Sequence, residues 1–372
     1  MKPKEPIHIL VAAGGTGGHL FPALAVAEEL ERMAPGEIKI SFVGNPDRIE
    51  SEIIPAKGYD FYTINLRGLN KLLSLKTLML PVKIFAATMK CRKIIRNYSV
   101  DAVLCTGAYL SYPPGAAAHQ ERKPLILMES NVYPGKAIRL LSLRADMIFT
   151  AFDESRQYFG GTTSEKVRPY GNPVRGMISR MPEQHWARRE FGLDPERPVV
   201  LVFGGSLGAK AINEAVAGSL DSIARSDFQV IWQRGKLFPQ PAKLPDNVVS
   251  REFIEDMASA YAAADLVVSR SGATTVAELC SAAKPSVLVP LPTASNNEQE
   301  SNARVLENNG AAIMVDNSAI TSRFMPLATE LLADRERLGH MARQAGSLAR
   351  PDAARRCAED ILRLVRARKQ IS

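Results

Sequence analysis

Short, almost wholly apolar runs alternate along the chain with longer stretches whose apolar positions recur at helical spacing. The runs are Ile7–Ala13, Ile38–Gly44, Ala102–Gly107, Leu125–Ser130 and Met147–Phe152. After a break come Val199–Gly205, Gln229–Gly235, Leu266–Gly272, Ser286–Pro292 and Ala311–Asp316. A strand covered on both faces has no polar side to show, so runs of this kind predict parallel strands. The helical stretches between them predict crossovers on both faces of the sheets. The expected class is α/β.

The two halves open alike. Ile9 to Ala13 leads into Gly14-Gly15-Thr16-Gly17-Gly18, and Val200 to Phe203 leads into Gly204-Gly205-Ser206-Leu207-Gly208. Each is a buried strand, a glycine-rich turn and a helix. A chain of 372 residues is too long for one ordinary core and suits two α/β domains. Gly171 and Pro173 punctuate the middle, so the expected division is 1–170 and 171–349. The basic amphipathic pattern from Asp352 to Lys369 predicts one more helix, over about 350–372, able to pack on either domain.

Glycine after a strand lets a ligand approach the backbone, and the following helix aims free N–H groups and a positive dipole end at it. Both turns suit phosphate or pyrophosphate, although such a turn can also serve close packing alone. Neither carries a P-loop lysine. From Gly15 the sixth position is Leu20 and from Gly204 the third is Ser206, so neither fits the dinucleotide fingerprint and NAD is a poor fit. His19 closes the first turn at the carboxyl end of a strand, where open α/β sheets place ligands. An ordinary imidazole pKa of about 6.5 suits a general base there. His8, His119, His185 and His340 lack such a setting.

Composition excludes more than it assigns. No apolar run approaches the roughly 18 residues of a membrane span, and the short polar N-terminus lacks a signal-peptide core. Cys91, Cys105, Cys280 and Cys357 are scattered, without disulfide or zinc spacing. Net charge is +8, and residues 61–100 alone hold eight cations and no acid. Within that window Lys71, Lys76 and Lys83 interleave with Leu72, Leu75, Leu78, Met79 and Phe85. That pattern predicts a helix lying on an anionic membrane surface. No aromatic stacking pattern points to nucleic acid. The expected place is the cytoplasmic face of the plasma (inner) membrane, as a peripheral protein.

The segment Gly14–Pro22 resembles the bacterial MurG family of N-acetylglucosaminyltransferases. The resemblance continues through Tyr109–Ser111, Glu129–Asn131, Gly171–Arg175, Gly204–Ala209, Phe253–Met257, Arg270–Glu278, Gln299 and Asn302–Ala303, and so covers nearly the whole chain. It implies a GT-B fold of two Rossmann-like domains facing across a cleft, with the acceptor on the first and the donor on the second. The implied reaction is inverting, metal-independent transfer from UDP-N-acetylglucosamine to the muramoyl 4-hydroxyl of lipid I, with no cofactor. Contacts with other cell-wall enzymes are compatible with it.

The resemblance makes His19 the first candidate base and Glu129 the second. It implies donor contacts from Thr16, Gly17, Gly18, Asn131, Arg175, Ser206, Ile254, Ala273, Thr274, Thr275, Val276, Ala277, Glu278 and Gln299. Gly14, Gly15 and Tyr109 would meet the acceptor. Glu278 would take both ribose hydroxyls, and Ile254 would meet uracil through its backbone. Ala108 and Ala283 stand where the family usually has glycine, and Glu298 stands in a segment that often carries histidine. Two rival readings remain: a UDP-N-acetylglucosamine 2-epimerase, which needs no basic apolar patch, and a non-catalytic UDP-sugar-binding protein, which needs no His19 or Glu129.

Overall fold

The computed structural model describes residues 6–66, 79–174, 178–293 and 297–371. It forms two compact units, residues 1–174 with 352–372, and residues 175–351. The first holds β1 (Ile7–Ala12), β2 (Ile38–Gly44), β3 (Asp60–Thr63), β4 (Ala102–Cys105), β5 (Leu125–Glu129), β6 (Met147–Thr150) and β7 (Val167–Arg168). They form one parallel sheet in the order β3-β2-β1-β4-β5-β6-β7. The second holds β8 (Val199–Phe203), β9 (Gln229–Gln233), β10 (Val248–Arg251), β11 (Leu266–Ser269), β12 (Ser286–Leu288) and β13 (Ala312–Met314), in the parallel order β10-β9-β8-β11-β12-β13.

The expected α/β class is what the chain adopts. Every expected run contains a strand, and β3, β7 and β10 are additional. All three additions lie at sheet edges. An edge strand is covered less completely, so its sequence need not be apolar throughout. Asp60–Thr63 is exposed or half-buried along its length, whereas β1 and β8 are buried at every position.

In each unit the strand order reverses beside the first strand, between β1 and β4 and between β8 and β11. Open α/β sheets bind ligands outside the carboxyl ends of the strands at such a point. Both glycine turns leave from there. Along β1 the side chains alternate between two cores, Ile9 and Val11 on one face, Leu10 and Ala12 on the other. The helix α1 (Gly17–Met33) covers the first face together with the C-terminal helix Ala353–Ile371.

That C-terminal helix buries Cys357, Ala358, Ile361, Leu362 and Val365 in the first unit's core. Tyr170 donates its hydroxyl to Asp360 at 2.7 Å, and the Arg356 guanidinium lies 4.0 Å over the Tyr170 ring. Arg366 to Glu37 and Arg368 to Asp146 add exposed ion pairs. Such pairs contribute at most about 1 kcal/mol each. A buried aliphatic side chain contributes about 1.5–3 kcal/mol, so the apolar stripe decides the docking. No described helix is long and apolar enough to cross a membrane.

Candidate active site

The first glycine turn is folded around a buried carboxylate. Glu50, the first residue of α2 (Glu50–Ala56), is 0% exposed. Its Oε2 accepts from the Gly15 N–H at 3.0 Å, and its Oε1 accepts from the Asn45 N–H at 3.1 Å. A Cβ on Gly14 would stand 2.3 Å from Glu50 Oε1, and Gly15 has φ +85°. A Cβ at the first position would displace the end of the Glu50 side chain, and the second needs the left-handed region that glycine enters freely. Gly14 makes room for Glu50, and the Gly15 N–H is already committed to it.

The open donors of this turn come next. Thr16 precedes α1 in an extended conformation, its side chain makes no cap, and its carbonyl accepts from His19 and Leu20 at 3.2 Å. Gly17 and Gly18 begin the helix with the N–H groups that every helix start leaves without an intrahelical partner. The helix dipole adds a positive field at the same point.

His19 is held from the neighbouring strand. The Thr106 hydroxyl donates to the His19 carbonyl at 3.0 Å, just beyond β4. Gly107, at φ +98°, lies against the ring, and a Cβ there would come within 3.0 Å of His19 Cε1. The ring is half-buried, and its Nδ1 is inaccessible and without a hydrogen bond among the described residues. Burial pulls its pKa below the ordinary value. A neutral imidazole at neutral pH is a proton acceptor. Ala108 follows at φ 55° and ψ 169°, a region nearly reserved for glycine, and Tyr109 opens the short 3₁₀ turn Tyr109–Ser111. Such backbone strain costs about 1–3 kcal/mol.

Glu129 ends β5 and is 2% exposed. Its Oε1 accepts from the Asn131 N–H at 2.9 Å and the Asn131 amide at 3.3 Å, and its Oε2 accepts from the Gly135 N–H at 2.8 Å. Both oxygens thus shape the loop that carries Asn131.

In the second unit the turn is tied by an amide. Gln233, buried at the end of β9, donates to the Gly205 carbonyl at 3.2 Å and accepts from the Ile254 N–H at 2.8 Å. The Ile254 N–H is thereby committed to Gln233. Gly208 has φ +84°, and its Cβ would meet the Arg234 carbonyl at 2.2 Å. Gly235 backs onto Gly208 equally closely. Ser206 is exposed on the turn and its hydroxyl has no partner among the described residues. The helix Lys210–Ala217 follows without a side-chain cap.

A second uncapped helix start faces the same end of this sheet. Gly272 precedes the helix Ala273–Ser281, so Ala273, Thr274 and Thr275 present its first turn, and Thr274 Oγ1 is buried without a partner. Val276 and Glu278 are buried, and Ala277 is half-buried. Tyr261 donates its hydroxyl to Glu278 Oε2 at 3.1 Å, which anchors that carboxylate. The Ser271 hydroxyl donates to the Gln299 carbonyl at 2.8 Å, and Gln299 Oε1 accepts from the Leu291 N–H at 3.0 Å. That leaves the Gln299 amide nitrogen without a hydrogen bond among the described residues. Burial raises the Glu298 carboxyl above its ordinary pKa.

Some expected residues lie outside the described ones: Arg175 and, in the basic apolar segment, Lys71, Leu72, Leu75, Lys76 and Leu78. The described remainder begins with Met79 and the helix Leu80–Asn97, where Met79, Val82 and Phe85 are 50%, 57% and 65% exposed beside Lys83. Arg92 and Arg96 both pair with Glu121, at 2.6 and 2.7 Å. The acid-free window is thus partly neutralised by a carboxylate from outside it. The residues that sequence reasoning missed are Glu50, Thr106, Gly107 and Gln233, each joined to a turn or to His19 across a large sequence separation.

Residues 9–150 match the glycosyltransferase family 28 N-terminal domain, and residues 199–357 match the family 28 C-terminal domain. Over 370 residues the chain is 40% identical to the UDP-N-acetylglucosamine–N-acetylmuramyl-(pentapeptide) pyrophosphoryl-undecaprenol N-acetylglucosamine transferase of Chlorobium phaeobacteroides, covering 97% of this chain and 100% of that protein. The Bacteroides fragilis protein of the same name is 35% identical, with 97% and 96% covered. The crystal structure of Acinetobacter baumannii MurG superimposes with a TM-score of 0.75 at 31% identity, over 96% of this chain and 100% of that one. A Neisseria meningitidis UDP-GlcNAc 2-epimerase reaches 0.67 at 15% identity, a likeness of fold alone.

Proposed function

The chain belongs to glycosyltransferase family 28, and we infer from that premise that it moves N-acetylglucosamine from UDP-N-acetylglucosamine to the muramoyl 4-hydroxyl of lipid I. The products are lipid II and UDP. The observation that carries this reading is identity of 35–40%, over nearly the full length of both chains, to transferases named for that reaction.

The first unit takes the acceptor. His19 accepts the hydroxyl proton as the oxygen attacks the anomeric carbon, and the electron pair of the breaking C–O bond leaves with UDP. A single displacement inverts the configuration. The lowered pKa of His19 supports this role, since the ring is neutral when the acceptor arrives. Glu129 acts as a positioning residue, setting the loop that offers the Asn131 amide to sugar oxygens. Tyr109 borders the acceptor.

The second unit takes the donor. Ser206 lies on the turn that leads into one helix, and Ala273, Thr274 and Thr275 begin another; the N–H groups and dipoles of these helix starts stabilise the departing diphosphate, and Arg175 supplies a guanidinium. Val276 and Ala277 continue the helix that delivers Glu278 to the ribose hydroxyls, with the Gln299 amide beside them. The Ile254 carbonyl meets uracil. The apolar and basic side chains from Lys71 to Phe85 hold the protein on anionic lipid at the cytoplasmic face, where its acceptor resides.

The test is transfer of radiolabelled sugar from UDP-N-acetylglucosamine to a short-chain lipid I analogue with a chelator present. Labelled lipid II is the expected product. Epimerised UDP-sugar without transfer, or UDP-sugar binding without turnover, would each overturn the assignment.

A further inference from the structure

Glu50 lies outside every role assigned above. Its carboxylate is fully buried, and its two described partners are main-chain N–H groups of Gly15 and Asn45. Burying a charge is costly, and an apolar side chain of similar size would fill the space without that cost. Two glycines nevertheless make room for it. A Cβ on Gly14 would stand 2.3 Å from its Oε1, and a Cβ on Gly44 would stand 2.6 Å from its Cγ.

What the carboxylate holds is the approach to His19. Gly15 presents its N–H to Oε2, Thr16 follows, and the His19 N–H bonds back to the Thr16 carbonyl at 3.2 Å. On the other side the Thr106 hydroxyl grips the His19 carbonyl. Glu50 and Thr106 thus locate the start of α1 from the β2 and β4 sides of β1. Charge-assisted bonds to backbone N–H groups are the stronger kind, as a fixed turn requires.

We propose that Glu50 is the positioning residue of the proton-transfer site, its buried carboxylate clamping the Gly14–Gly18 turn so that His19 is held where the acceptor proton must be taken. This rests on the function read above. Glu50→Gln keeps the shape but replaces one acceptor with a donor that faces an N–H group.

Kinetics, thermal unfolding and the NMR titration of ¹⁵N-histidine-labelled protein are compared between wild type and Glu50→Gln. In the folded variant, kcat is expected to fall about 10- to 100-fold, as misplacement of a catalytic group by an ångström does. The KM for UDP-N-acetylglucosamine stays within about twofold, because a positioning fault in proton transfer leaves donor binding intact. The His19 titration, held low by burial, moves up toward about 6.5 as the ring loosens. If Glu50→Gln shows no cooperative unfolding, Gly14→Ala takes its place; it retains the charge and displaces the clamp, with the same expected signature.

Unchanged kcat and His19 titration in either folded variant overturn the clamp. A wild type that transfers sugar while His19 stays unmoved in the variant leaves the function standing and removes Glu50 from it. A wild type without transferase activity whose His19 titration shifts in the variant keeps the clamp and overturns the function.

Discussion

In the first unit the turn after β1 is tied to the end of the neighbouring β2 by a carboxylate, while in the second the turn after β8 is tied to the end of the neighbouring β9 by an amide. In each unit a buried side chain from the adjacent strand–loop segment bridges the glycine turn and another backbone N–H, but Glu50 accepts from the turn's Gly15 N–H whereas Gln233 donates to the turn's Gly205 carbonyl. The charge differs. A phosphate brought within about 7 Å of the Glu50 carboxylate would meet a repulsion of about 2 kcal/mol at an effective dielectric of 20. Gln233 is neutral and leaves the positive field of the second turn intact. On the proposed function, the second turn then suits an anion and the first a neutral base. The difference supports placing the diphosphate on the second unit.

The largest effect that sharpens this comparison comes from His19. His19→Ala should lower kcat by about 10²–10⁴-fold while UDP affinity, measured by calorimetry, stays near wild type. In the wild type the acidic limb of kcat should fall below about pH 6.5, because burial lowers the His19 pKa and the neutral form persists to lower pH. A limb above that value, or one retained in His19→Ala, would remove the residue from proton transfer.

Next comes Gln233→Glu, which brings a negative charge to the second turn and replaces the donor to the Gly205 carbonyl with an acceptor. It should weaken UDP binding by about 10- to 30-fold through the added charge. Unchanged UDP affinity in titration calorimetry would show that the two turns do not divide the work by charge.

Gly208→Ala tests the close backing of the second turn. The new Cβ meets the Arg234 carbonyl at 2.2 Å in a left-handed conformation. A loss of about 2 kcal/mol or more is expected in denaturant unfolding.

The smallest effect runs the other way. Ala108→Gly removes strain of about 1–3 kcal/mol and adds unfolded-state entropy worth about 0.5–1 kcal/mol. The first unit should gain about 1 kcal/mol, read as a melting temperature higher by about 2–4 °C. A lowered melting temperature would show that Ala108 is not strained there. Ala283, at φ 49°, is the other alanine in the left-handed region among the described residues.

The central strands were legible because burial on both faces leaves an uninterrupted apolar run, and the glycine turns because their residues are contiguous. The edge strands were not, since half-coverage tolerates residues such as Asp60. The acid-free window from 61 to 100 read as unrelieved positive charge, yet Glu121 reaches Arg92 and Arg96 from 29 and 25 residues away. The docking partner of the C-terminal helix was equally open, because an amphipathic stripe states which face is buried but not against what.

By itself the sequence determined the α/β class, the two opening turns and the position of His19 at the end of a strand. These follow from local periodicity and from glycine's freedom at φ values other residues avoid. Tertiary structure alone decided which side chains close those turns. Glu50 reaches Gly15 across 35 residues, and Gln233 reaches Gly205 across 28. In a parallel sheet, adjacent strands are joined by long crossovers. Residues that share one strand-end therefore lie far apart in the chain, and no spacing along it records their meeting.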